Sequence, residues 1–484
     1  MSAGSSVLVR PTPAPALIVG AALLTAVGFG ALTGVRTEVS LLVLTVVLVT
    51  VIALFAPLGA VSLLLFATVL VPYATQNRYA LAGGTGVPGI LVVDLLLILS
   101  VARVTVGFLA RRVLPGAALF AYLLLLGVGL QLIHGILNGA AAGDAGLEAR
   151  NLANAIAGFL LAIPVLQDPV RRARLPAVLL GVALCAGLWG LAQWVQDMPF
   201  NGSDFGVRKG EFGTESGRGQ LQGGLYFYPA AVVLAFAALV SDAIKPLWLR
   251  ALTLVALAAN GMCLLLTYER TFWLAAALGC AFVALRSPKA VRRRAMALAG
   301  VGFATLVAAL GVASPTSLRT ALERGSSVAD VQADDSGAYR VAESEAALEP
   351  IRARPIDGSG FGATITWEPP QFRGKEVTDD FIHNGYVWLV WKTGVLFAAL
   401  WAGVIILSAL HRPPASEDPL LGILRVGAQA TLLGLLVINV TFPSFNALGI
   451  AAATGLLVAL CWVPRAHRPQ WRPPDADASV FGRD

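Results

Sequence analysis

Charge is what this sequence has least of. Lys, Arg, Asp and Glu together make 13% of its 484 residues, against roughly 25% in soluble domains. Cysteine and histidine are scarce too, with four of each. Cys185, Cys263, Cys280 and Cys461 all sit inside apolar runs. They have no CxxC spacing and form no His/Cys cluster, which argues against a zinc site and for small hydrophobes buried in a membrane. Met1 to Pro15 lack the compact charged region and A-x-A site of a cleaved signal peptide. Ala16–Thr33 is therefore expected as a retained first span.

What the chain does have is hydrocarbon: 57% of its residues are hydrophobic, and the mean hydropathy is +0.75. Apolar runs that approach the length needed to cross a bilayer, about 20 residues, recur from Ala16–Thr33 to Ala447–Val463. The expected fold class is an all-α polytopic membrane protein. About 12–14 transmembrane helices are expected, with one large extracytoplasmic loop that contains short helices. Leu58–Val71 is short enough to be half of a re-entrant pair, and Leu152–Leu166 is another short run. Residues 1–15 form a cytoplasmic N-terminus, and residues 16–313 hold transmembrane helices with a polar outer loop at 198–222. Residues 314–385 form the large loop, 386–463 the C-terminal helices, and 464–484 a Pro-rich, charged cytoplasmic tail expected to be disordered.

Basic residues in short loops set the orientation. Arg111 and Arg112, then Arg171, Arg172 and Arg174, then Lys245 fall on alternate connections. So do the RSPKAVRRR cluster, Arg412, and Arg465, Arg468 and Arg472 of the tail. Placing these inside leaves isolated basic residues such as Arg36, Arg78 and Arg150 outside, and puts Ser314–Phe381 outside with them.

A charge at the membrane edge on the side away from the basic-rich face is costly and marks a functional candidate. Arg270, in LLLTYERTFWLAA, is one such charge; it could equally snorkel beside its own Glu269. Arg218 has glycines on both sides in ESGRGQLQGG, and Arg can hold phosphate oxygens bidentately; an ordinary solvated loop charge would look the same. Arg340 lies on a short loop helix expected over Ser336–Leu348 and ended by Pro350 and Pro355. There it could simply pair with Glu343 at i,i+3. His383 is the His of the outer loop region and could titrate near neutrality as a base on a hydroxyl, or serve structurally. Asp334 with Asp335, or Asp379 with Asp380, could bind a metal, but adjacent carboxylates point apart on most backbones. Three Arg and one His on one face suit an anionic ligand and a proton acceptor.

The order of these motifs resembles the O-antigen ligase and polymerase superfamily, membrane glycosyltransferases that use polyprenyl-diphosphate-linked glycans. HNGYVWLVWKTGVLFAALWAG, from His383 to Gly403, resembles the family's HNxY segment, which closes the large loop and enters a span with a Gly some ten residues on, here Gly394. YRVAESEAALEPIRARPIDGSGFG is similar to the Arg-bearing loop helix and its Gly-rich turn. TYERTFWLAAALG and ESGRGQLQGGLYFYPAA resemble the two other Arg-bearing stretches. Lys392 departs from the pattern, standing where a neutral or acidic residue is usual.

The resemblance implies that Arg218, Arg270 and Arg340 bind the donor diphosphate. His383, with Arg270 beside it, would carry catalysis by taking the acceptor's proton. It also implies no metal and no cofactor. The partners would be a polyprenyl-diphosphate-linked glycan donor, a lipid or glycan acceptor and membrane lipids, with no nucleic acid. The location would be the bacterial cytoplasmic membrane, with the active site on the extracytoplasmic face. A polymerase of the same superfamily shares donor and chemistry. A lipid-linked saccharide transporter or flippase is the alternative from another class, but the sequence shows no internal repeat of the kind transporters carry. In a cysteine-free background, Ser327→Cys should react with a membrane-impermeant thiol reagent in intact cells. Labelling only after lysis of the cytoplasmic membrane would invert the topology.

Overall fold

In hydrocarbon an isolated segment can satisfy its backbone only as a helix, and helix dominates the chain. The computed structural model describes residues 48–70, 92–110, 112, 114–195, 225–241, 244, 246–326, 335–369, 374–411 and 419–462. The expected first span, the polar loop at 198–222 with Arg218, Ser327, Asp334 and the tail lie outside the described residues.

Among the described residues eight helices are long and apolar enough to cross a membrane, and three apolar helices are shorter. The protein is thus an all-α polytopic membrane protein. Outward positions carry exposed Leu109, Leu123, Leu126, Val301 and Phe303, a surface that suits lipid rather than water. Phe227–Val240 is buried nearly all round and packs on Pro169–Val195, Leu247–Leu266, Arg270–Arg286 and Pro419–Ile438. Leu448–Trp462 packs most extensively on Ala142–Gln167. There the small residues Ala155, Gly158, Ala452 and Gly455 let the backbones meet, and a Cβ on Gly455 would strike the Ala155 carbonyl.

Ala142–Gln167 starts ten residues before the expected Leu152. Two charges in that extension, Arg150 and Glu148, have partners. Arg150, expected in an outer loop, pairs with Asp94 of Val92–Ala110 at 3.1 Å. Glu148, 4% exposed, receives the Lys392 amine at 2.6 Å.

Lys392 lies in Gly385–Leu410, which breaks at Gly394 (φ 74°, ψ 166°). A break in a span frees backbone groups that must find partners. Here the Gly-rich turn of the large loop supplies them. Ser359 N–H donates to the Trp391 carbonyl at 2.8 Å and Gly360 N–H to the Lys392 carbonyl at 2.9 Å. Gln131 Nε2 reaches the Thr393 carbonyl at 3.3 Å, and Val395 N–H donates to the Pro355 carbonyl at 2.8 Å. Gly358, Gly360 and Gly362 all have φ between 70° and 82°. A Cβ on Gly358 would strike Gly394 N and Lys392 O, so only glycine fits there. The Glu148–Lys392 pair closes the joint, because Glu148 also accepts from Gly362 N–H at 2.7 Å and Lys392 also donates to the Ala363 carbonyl at 2.6 Å. His134, at the end of Gly116–Leu137, completes it from the other side, 3.2 Å from the Gly358 carbonyl.

The loop helix runs over Asp335–Ala353 and so passes through Pro350 rather than ending there. Pro350 sits near its end, where its carbonyl still accepts from Arg354 N–H at 3.1 Å; Pro355 follows just past the helix. Beyond the turn, Ile365–Trp367 pairs antiparallel with Val377–Asp379, with Thr366 opposite Thr378. Removing one partner of a buried ion pair strands the other charge, at a cost of about 3–5 kcal/mol. Lys392→Met should therefore lower the melting temperature in detergent sharply. The Glu148→Leu/Lys392→Met double variant should lose less than either single change; a double loss equal to the sum of the singles would show that the pair is not coupled.

Candidate functional site

The HNGY segment gives each of its residues a separate task. Asn384 caps Gly385–Leu410, its Oδ1 accepting from Tyr386 N–H at 3.1 Å and Val387 N–H at 3.2 Å. Gly385 donates its N–H to the Asn439 carbonyl at 2.8 Å. Tyr386 donates its hydroxyl hydrogen to the Leu436 carbonyl at 2.7 Å. His383 is left free of capping duty and faces the loop helix.

There it meets Glu343. His383 N–H donates to Glu343 Oε2 at 2.7 Å, and Nδ1 lies 3.0 Å from Oε2 and 3.2 Å from Oε1. The Glu343 side chain is 1% exposed and that of His383 27%, so the carboxylate sits behind the ring. A carboxylate can only accept, so Nδ1 carries the hydrogen. In the neutral ring Nε2 then holds the lone pair. The alternative i,i+3 pair of Arg340 with Glu343 is replaced by this contact.

Arg340 turns instead to Phe442, its guanidinium carbon 5.3 Å from the ring centroid. Its Nε is buried and has no hydrogen-bond partner among the described residues. Phe442 is the hub of the region. Its centroid lies 6.0 Å from that of His383, 5.5 Å from Phe272 and 6.4 Å from Tyr226. Phe272 is in the first turn of Arg270–Arg286, and Thr271 of the same turn is bonded to Thr441 at 2.7 Å between hydroxyl oxygens. Arg270 therefore opens a helix tied directly to the Phe442 turn. The sharp bend before it is made at Tyr268, which takes φ 53°, a left-handed value that costs a non-glycine residue about 1–2 kcal/mol. Asn439 holds the Phe442 turn, with Oδ1 accepting from Phe445 N–H at 3.2 Å and Nδ2 donating to Ser444 Oγ at 2.5 Å.

Two further carboxylates, Asp379 and Asp380, lie just before His383 in the sequence. Burial pushes the Asp379 carboxyl above its usual range, and neighbouring Asp380 and Glu343 add to this; the Phe381 N–H donated at 3.0 Å works against it. Burial, then Glu343 and Asp379, push the Tyr339 phenol up. Among the described residues no group of three or more His, Cys, Asp or Glu is placed to hold a metal ion.

The structure thus brings together the Arg270 segment, Arg340 and His383. It adds Glu343, Phe442 and Asn439, which the sequence reading did not single out for this site. Residues 252–402 match the family model for O-antigen ligase. This match supports the O-antigen ligase and polymerase superfamily, and it spans Arg270, Arg340, Glu343 and His383. A search of the curated proteins finds no match for the chain. In this O-antigen ligase-like segment Lys392 has a structural explanation: its charge is spent on Glu148, inside the joint that docks the Gly-rich turn.

Proposed function

We propose that the protein moves a glycan from a polyprenyl-diphosphate carrier to an acceptor hydroxyl, in the manner of an O-antigen ligase. The reaction takes place at the extracytoplasmic face of the bacterial cytoplasmic membrane, beneath the 314–385 loop. The observation that carries this reading is the gathering around Phe442 of a guanidinium, a helix opened by a second arginine, and a histidine with its Nδ1 already occupied.

Arg340 and Arg270 grip the diphosphate, and Arg218, which precedes Phe227–Val240 in the sequence, joins them. The buried Nε of Arg340 is a donor suited to a phosphate oxygen. Fixed guanidinium groups in a water-poor site stabilise the negative charge that grows on a leaving diphosphate. No metal is required for that step. His383 Nε2 takes the acceptor's proton, and the oxygen attacks the anomeric carbon as the carbon–oxygen bond to the diphosphate breaks. The bonding pair leaves on the phosphate oxygen.

Two variants separate the roles. His383→Ala should cut transfer about 10²–10⁴-fold, the usual worth of general-base help, while leaving the Kd for the lipid-linked donor nearly unchanged. Arg340→Lys keeps the charge but loses the two-pronged donor, so it should weaken donor binding. A wild-type rate in His383→Ala, or a collapse of donor affinity in that variant, would remove His383 from the role of base.

A further inference from the structure

We infer that Glu343 is the positioning residue for His383: it holds the ring through Nδ1–H, aims Nε2 at the acceptor, and balances the charge that forms when Nε2 is protonated. This inference rests on the reading of His383 as the base.

Three observations carry it. First, the carboxylate takes both of its described donors from one residue, the backbone N–H and the ring Nδ1 of His383. That double hold fixes the position of the ring and its tautomer together. Second, a buried carboxylate is costly without partners, and the guanidinium nearest in sequence, Arg340, is engaged with Phe442. The Glu343 carboxylate therefore relies on His383, 40 residues along the chain, for its donors. Third, the imidazole is walled by ring edges. Tyr339, Phe381 and Phe442 stand at 88°, 83° and 65° to its plane, with centroids 5.9, 5.0 and 6.0 Å away. These walls restrict rotation, and Glu343 selects which nitrogen faces outward.

The charged and titratable groups facing this ring are few. The loop helix contributes Tyr339 and Glu343, with Arg340 over the neighbouring Phe442, and Asp379 and Asp380 precede His383 in the sequence. The 439–446 turn presents the uncharged Phe442, behind which Arg270 and Glu269 open the next helix. Of these, Glu343 is the group in direct contact with the ring.

The proton balance is simple. The acceptor O–H bond breaks and its proton goes to Nε2. The oxygen pair forms the new glycosidic bond, the diphosphate departs with the old one, and Nε2 later returns its proton to water. Nδ1–H stays on the ring throughout, so Glu343 never becomes protonated.

The test is steady-state kinetics of the purified full-length protein. Glu343→Gln keeps an oxygen that can accept from Nδ1–H but removes the charge. It should lower kcat about 10²-fold, the low end of general-base contributions, with the donor KM unchanged. Glu343→Asp keeps the charge one methylene farther away, and should show a reduced kcat with the donor KM again unchanged. Adding Glu343→Gln to His383→Ala should cost nothing more, because Glu343 acts through His383.

A wild-type kcat in Glu343→Gln, a raised donor KM in that variant, or an additive loss in the double variant, would overturn the inference. If Glu343→Gln does not fold, Glu343→Asp decides: wild-type kcat overturns the inference, and reduced kcat with unchanged donor KM and no further loss on top of His383→Ala supports it. These outcomes are distinct from failure of the base reading itself, which would show as an unaffected His383→Ala.

Discussion

A lysine with no exposed surface inside a span has to be neutralised, and much of the site's geometry follows from how this one is. The Lys392 amine meets Glu148 at 2.6 Å, and the two together hold the backbone of Gly362 and Ala363. One residue pair thus joins the helices Ala142–Gln167 and Gly385–Leu410 to the end of the Gly-rich turn. The break at Gly394 depends on the same joint, because the Trp391 and Lys392 carbonyls before it are bonded by that turn. In a bilayer such a break is tolerated only where protein groups re-satisfy the backbone.

Docking the turn fixes the loop helix that precedes it. Asp335–Ala353 runs directly into Pro355, whose carbonyl accepts from Val395 N–H, so the helix is moored to the span that His383 introduces. Glu343 is thereby held against His383, and Arg340 against Phe442. Catalytic groups must be held within fractions of an ångström to be effective. Here the precision comes from a structural ion pair outside the proposed reaction centre.

The sequence made the membrane class legible, because helical apolar runs of span length carry that signal directly. His383 and Arg340 could also be singled out, since a polar group at the close of a long loop or on its helix has few structural duties. Glu343 was harder to find. At i,i+3 from Arg340 it reads as a helix pair, and only the fold shows that its partner lies 40 residues away. Glu148 and Arg150 truncated the expected span for a related reason: a hydropathy pattern counts charges and cannot see that Lys392 and Asp94 neutralise them. Pro350 misled because a proline near a helix end is tolerated when few further N–H bonds are needed. Phe442 carried no signal in the sequence, because its role as the hub of four groups exists only in three dimensions.

The central claim is that the site breaks the bond between glycan and diphosphate without a metal. It is tested most directly with the purified protein in nanodiscs, given a polyprenyl-diphosphate-linked glycan and an acceptor in excess EDTA. Free lipid diphosphate and acceptor-bound glycan would be measured together. The account predicts that the two appear in equal amounts, as single additions for a ligase or as a ladder for a polymerase. Recovery of intact donor, or transfer that stops in EDTA and returns with Mg²⁺, would contradict it.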